Sequence, residues 1–165
     1  APERAPAGLD RAALGVITTS NAIEISAPPQ RIYALAAATE RWPELLPHYR
    51  FVRVLERRSG NARVVEMAAR RDWIPVRWVA EQENDPATPR IRFRHIAGAT
   101  RGMEVEWRFE PSGSRTLVSI EHWWNNGAAR LVSDWVVRHV ICEFFIHDIA
   151  NKTLAQVKRL AEAGR

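Results

Sequence analysis

Cysteine is all but missing from this chain. Cys142 is the one example in 165 residues, which excludes an internal disulfide framework and any multi-cysteine metal site. A lone thiol agrees with a reducing compartment, and a cytoplasmic location is the expectation. Lysine is nearly as scarce: of 24 basic residues only Lys152 and Lys158 are not arginine. No apolar run reaches the roughly 18 residues of a membrane-spanning helix. There is no internal repeat, and no low-complexity stretch beyond the Ala/Pro/Gly-rich opening. Residues 1–15 are therefore expected to form a flexible arm before a single domain, 16–165. The chain opens Ala1-Pro2-Glu3 without a Met or a signal-peptide pattern, so a processed or trimmed start is expected.

What is present is the make-up of a globular protein, 46% hydrophobic and 26% charged, neither disordered nor membrane-embedded. The net charge is +5 and the pI about 10.3, which by itself points to a polyanionic partner. Its location changes that reading. Residues 48–71 carry Arg50, Arg53, Arg57, Arg58, Arg63, Arg70 and Arg71 against Glu56 and Glu66, so this one stretch holds the excess. A charged hairpin at a sheet edge needs no ligand, because charge there prevents edge-to-edge pairing. The arginines also lack the interleaved aromatics of a single-strand-binding platform. Nucleic acid is thus not the expected partner, and RNA or ribosome contact through 48–71 stands as an alternative.

The order of elements is legible from punctuation and period. Val16 to Ser26 reads as a strand ending at Pro28-Pro29. Ile32, Leu35 and Ala36 have helical spacing after Pro29, and Thr39 opens a second short helix through Leu46, with Pro43 tolerable in its first turn. Six strands then follow near 48–58, 61–71, 73–84, 89–97, 102–111 and 115–125, separated by turn residues such as Ser59-Gly60-Asn61 and Ser112-Gly113-Ser114. Met103, Val105, Trp107 and Phe109 share one face, and Glu104, Glu106, Arg108 and Glu110 the other, the mark of an antiparallel sheet solvated on one side. A helix is predicted over 128–162. The fold class is α+β: a curved antiparallel seven-stranded sheet around a long C-terminal helix, with two short helices after strand 1.

This order resembles the helix-grip superfamily of START domains, birch-pollen-allergen-like proteins and polyketide cyclases/dehydrases. The best local string is Ala38-Thr39-Glu40-Arg41-Trp42-Pro43-Glu44-Leu45-Leu46-Pro47. Val76-Arg77-Trp78-Val79 and Gly102-Met103-Glu104-Val105-Glu106-Trp107 support it. Within the superfamily the chain looks most like bacterial aromatase/cyclases of aromatic polyketide synthesis, with coenzyme Q-binding and ribosome-associating relatives. The resemblance implies a Tyr after the Trp-Pro helix and a central-strand Arg that position and enolise a poly-β-ketone. Tyr49 stands where that Tyr would be. Gln82 stands where the Arg would be, a departure that leaves the cyclase's main charge missing unless Arg71 or Arg101 reaches the same space.

By strand parity the concave face carries Trp78, Gln82, Phe93, His95, Met103, Val105, Trp107 and Trp124, joined from the helix by Trp135 and His139. Without the resemblance this set reads as packed core; with it, as the wall of a pocket for an apolar or aromatic small molecule. Candidate catalytic groups are Tyr49, His122 and Arg71, since proton transfer near neutrality suits histidine. Cys142 has no evident partner and reads as a small packed hydrophobe. His139, Glu143 and His147 recur at i, i+4 and i+8, but lack the adjacent Glu of a His-Glu-x-x-His site. They read as cavity wall and rim rather than metal ligands, and neither metal nor cofactor is expected. Val137, Ile141 and Phe144 project into the helix's polar arc, an apolar island suited to a second copy, a membrane or another partner. The residues leave open a polyketide cyclase/dehydratase-like enzyme and a non-enzymatic lipid or isoprenoid carrier.

Overall fold

A computed structural model describes residues 16–98, 100–125 and 146–164. Strand β1 (Val16–Ile25) is followed by α1 (Pro29–Ala37), a 3-10 turn (Thr39–Arg41) and α2 (Trp42–Leu45). Six strands come next: β2 (Tyr49–Arg57), β3 (Ala62–Arg71), β4 (Ile74–Asp85), β5 (Arg90–Gly98), β6 (Met103–Ser112) and β7 (Arg115–Asn125). The last described element is α3 (His147–Ala163). The strands form one antiparallel sheet in the order β1-β7-β6-β5-β4-β3-β2, so the first strand closes back onto the last. This is the helix-grip α+β fold. The part of the predicted helix before residue 146 lies outside the described residues, as do the apolar island Val137, Ile141 and Phe144, the pocket candidates Trp135 and His139, and Cys142. No described helix is long and apolar enough to cross a membrane.

Local chemistry explains the elements that frame the interior. Pro29 sits at the start of α1, where its missing N–H is not needed, and the helix buries Ile32 and Ala36. Pro43 occupies the same permissive place in α2 and leaves Trp42 aimed inward, 2% exposed. Helix α3 buries Ala150, Thr153, Leu154, Val157 and Ala161, a stripe at helical spacing. Polar contacts fix its rotation. Asn21 Nδ2 of β1 donates to Asn151 Oδ1 at 2.7 Å, Lys158 Nζ donates to the Glu24 carbonyl at 2.6 Å, and Gln156 Nε2 donates to the Leu45 carbonyl at 3.0 Å.

One glycine carries a specific load. Gly98 has φ +92°, and a Cβ there would lie 2.4 Å from the Arg77 carbonyl oxygen of the neighbouring strand. That close approach follows a register shift between Val79 and Ala80, where β4 and β5 slip by one residue. The shift leaves His95 facing the interior and the chain free to fold back through Thr100 into β6.

On the convex face the charges form a lattice. Buried Glu106 is bracketed by Arg90 at 3.7 Å, Arg92 at 3.0 Å and Arg108 at 2.6 Å. Glu66, also buried, joins Arg53 to Arg77. Most of the basic excess in 48–71 is answered the same way, partly from distant segments. Arg57 and Arg63 meet Glu40, Arg58 meets Glu56 and Glu81, and Arg71 meets Asp148.

Candidate functional site: an aromatic cavity under the C-terminal helix

The sheet's concave face, α2 and α3 frame a partly open cavity of about 150 Å³. Trp42 forms one wall, packed edge-on to Tyr49 at 4.8 Å between centroids and tilted against Trp107 at 5.9 Å and Phe93 at 6.2 Å. Trp78 stacks on His95 at 5.7 Å with 7° between the rings. Met103, Val105, Ile120 and His122 line the β6–β7 side, and Ile146, Ile149, Ala150 and Thr153 close it from the start of α3. The volume matches that of an apolar cavity able to hold a benzene-sized ring.

Polar groups are few and each has a definite state. His95 is buried, with Nδ1 2.5 Å from Thr100 Oγ1. Burial, with a smaller contribution from nearby His122, pushes its pKa down to about 3. His122 lines the cavity, with its Nδ1 buried. Burial, then the neighbouring His147, lowers its pKa to about 3. Both rings are therefore neutral at pH 7. Burial pushes the Tyr49 phenol well above its usual range, only partly offset by a hydrogen bond with Thr153, so it stays protonated. Three buried nitrogens, Trp42 Nε1, Trp78 Nε1 and His122 Nδ1, have no hydrogen-bond partner among the described residues. All three side chains line the cavity.

Several expected residues converge here: Tyr49, Trp78, Phe93, His95, Met103, Val105, Trp107 and His122. Three do not. Gln82 shares the concave face but lies beyond the cavity's end, where the 3-10 turn fills the space. It is 1% exposed, and its Oε1 accepts from Thr39 Oγ1 at 2.9 Å and Arg63 Nε at 3.1 Å. Its Nε2 donates to Asn84 Oδ1 at 2.9 Å, so it knits the turn to the sheet rather than facing a ligand. Arg71 sits at the end of β3, 3.6 Å from Asp148, outside the lining. Trp124 is buried beside the cavity, its Nε1 donating to the Arg101 carbonyl at 3.0 Å. Neither Gln82 nor Arg71 is among the residues that line the cavity.

Sequence reasoning also left out part of the wall. Trp42 carried the family string yet was not assigned to the pocket, which it lines. Met67 sits on a strand with both faces buried, where parity gives no contrast. Thr100 falls between the strands read at 89–97 and 102–111, where parity assigns no face. Thr153 could have been found as a polar member of the buried α3 stripe.

The family described as polyketide cyclase / dehydrase and lipid transport matches residues 25–145. The chain belongs to this family. The match covers the short helices, β2 through β7 and therefore most of the cavity wall. One similar member is the actinorhodin polyketide synthase bifunctional cyclase/dehydratase of Streptomyces coelicolor, 31% identical over 107 residues, 61% of this chain and 32% of that protein. The matched region thus spans about one third of that relative's length. Among solved structures, a protein from Thermus thermophilus superposes with a TM-score of 0.75 at 23% identity, covering 90% of this chain and 99% of its own. The Zhui aromatase/cyclase from a Streptomyces species gives 0.68 at 19% identity, covering 89% and 94%. Both share the fold of this family member.

Proposed function

We propose that the cavity takes up the ring-forming part of an apolar, carbonyl-bearing molecule of the polyketide type and promotes its cyclisation or dehydration. The observation that carries this is the set of unpartnered nitrogens, Trp42 Nε1, Trp78 Nε1 and His122 Nδ1, in an otherwise aromatic and aliphatic wall. An unpaired buried polar group costs about 1–3 kcal/mol. A purely hydrocarbon ligand would leave that penalty in place, whereas a carbonyl or hydroxyl oxygen would accept from the two indole N–H groups and a hydroxyl or an acidic C–H would face His122 Nδ1.

The protonation states allow enol chemistry, with His122 unprotonated but a weak base, because burial lowers its pKa to about 3. Neutral His122 accepts the proton of a carbon next to a carbonyl at Nδ1. The electron pair moves to the carbonyl oxygen, where a phenol held protonated, Tyr49, hydrogen-bonds the developing charge. The enolate carbon then attacks a second carbonyl of the folded chain, and the histidine returns its proton to the oxygen formed there. Close packing of Trp42, Trp78 and Trp107 selects which carbons meet, a positioning effect that needs no charged residue. His95, stacked on Trp78 and tied to Thr100, holds the wall rather than transferring protons. Arg71 takes no part in this scheme because it lies outside the lining.

The test is turnover of a poly-β-ketone by the wild type, Tyr49→Phe and His122→Ala. Each variant is expected to lose at least tenfold in rate while still binding the product. Unchanged rates in both would remove the assigned roles. A second reading, carriage of a lipid or isoprenoid without chemistry, is supported by the family description and the apolar wall. It predicts a ligand retained through purification and released unaltered.

A further inference from the structure

The described surface leaves few cations uncompensated, and two of them meet in one place. Among the described residues Arg31, Arg50, Arg70, Arg101 and Arg159 have no carboxylate within 4.0 Å, while the other arginines do. Arg70, at the end of β3, and Arg159, on the outer face of α3, line a common groove with Lys152 and His48. Lys152 has a carboxylate, Asp148 at 2.8 Å, but Arg71 shares it at 3.6 Å. The acid of the groove itself is exposed Asp72, beside Arg71. Arg159 Nε donates to Gln156 Oε1 at 3.1 Å, a neutral partner that orients the guanidinium and leaves its terminal nitrogens open.

We infer that this groove is an anion site for a phosphate group, with Arg70, Arg159 and Lys152 as its cationic contacts. Two guanidiniums offer paired donors that match phosphate oxygens, and an ammonium adds a compact third charge. Gathering these cations without an equal number of acids is unfavourable in the empty groove, and a dianion reverses the sign. Lys152, Gln156 and Arg159 follow one another at i, i+4 and i+7, so one exposed stripe of α3 presents all three. His48 marks the boundary with the cavity. Its Nε2 lies 2.8 Å from Oγ1 of Thr153, a cavity-lining residue, so groove and cavity share a wall without sharing a ligand position. Burial and the charge of Lys152 hold the His48 pKa down at about 4, with Asp148 opposing weakly. A bound phosphate would oppose them more strongly.

The phosphate could be a soluble phosphate or a phospholipid headgroup, and two arms separate these. In the first, pyrophosphate is titrated into the full chain at low ionic strength, with the His48 ring signal followed by NMR across pH 4–7. In the second, sedimentation is measured with vesicles of phosphatidylcholine alone and with added phosphatidylglycerol. The expectation is an upward shift of the His48 midpoint in the first arm, retention on the anionic vesicles in the second, or both. Arg70→Glu/Arg159→Glu should weaken whichever is seen at least tenfold, and Arg70→Lys/Arg159→Lys should retain much of it. The same charge-reversed variant should bind an aromatic probe, 1-naphthol, as the wild type does, which shows that it folds and separates this site from the cavity. No response in either arm, or a response that charge reversal leaves intact, overturns the assignment. Loss of naphthol binding by a cavity variant leaves it standing.

Discussion

Two neutral histidines inside one cavity make stability depend on pH in a window where few other groups titrate. In the unfolded chain a histidine has a pKa near 6.5. His95 and His122 fall to about 3 in the folded protein, chiefly through burial. The folded state then resists protons that the unfolded state accepts, so stability is full above about pH 6.5 and declines as the pH falls toward 3. Between pH 7 and pH 5 each ring is expected to remove about 2 kcal/mol, from 1.36 kcal/mol for each pH unit below 6.5. The pair together removes about 4 kcal/mol, a large share of the 5–15 kcal/mol that holds a domain of this kind. His48, less deeply buried, adds a smaller amount because solvent screens it. Two carboxylates of the convex face stay clear of this window. Glu81, held low by its hydrogen bonds to Arg94 and Arg58, and Glu106, held low by Arg108 and Arg92 against its burial, are ionised throughout it. The assay is urea unfolding of the wild type and of His95→Gln/His122→Gln at pH 7 and pH 5. The double variant should lose about 4 kcal/mol less on acidification. An identical loss in both proteins, or NMR midpoints near 6.5 for the two rings, would refute the reasoning.

Further outcomes follow from single contacts. Gln82→Ala leaves the Thr39 hydroxyl and the Arg63 guanidinium without their shared acceptor and should destabilise by about 1–3 kcal/mol in chemical denaturation. Because Gln82 lies beyond the cavity, naphthol affinity should stay within twofold; a tenfold loss would place it back at the ligand. Gly98→Ala drives a methyl group against the Arg77 carbonyl at a positive φ. It should lower stability by about 2 kcal/mol or more, and a neutral result would mean that the β4–β5 register shift relaxes freely.

Much of this architecture could be read from local signals, and the exceptions have physical causes. Strand bounds came within a residue or two because Gly, Asn and Pro punctuate them and side-chain parity repeats every second residue. Parity also placed Met103, Val105, Trp107, Phe93 and His95 inward, and the cavity uses all five. It says nothing of where along a face the empty space ends, which is how Gln82 and Trp124 came to be grouped with the lining. Thr100, between two predicted strands, was missed because its value lies in the fold-back that brings it onto His95. Charge was the other blind spot. Summed along 48–71 the arginines look uncompensated, but Glu40, Glu81 and Asp148 arrive from other elements. Of the arginines left without a carboxylate among the described residues, Arg70 and Arg159 are separated by 89 positions and come together only in three dimensions. Trp135 and His139, expected at the pocket, lie outside the described residues.

The central claim is that the space under α3 is a binding cavity for a ring bearing oxygen acceptors. Calorimetric titration with 1-naphthol and with naphthalene tests it most directly, on the wild type and on Ala150→Phe, which places a phenyl ring in the space. The account predicts saturable 1:1 binding of naphthol, at least tenfold weaker binding of naphthalene, and loss of both in the filled variant, with the fold retained by circular dichroism. Equal affinity for the two compounds would contradict the role of the unpartnered nitrogens, and undiminished binding to Ala150→Phe would contradict the cavity itself.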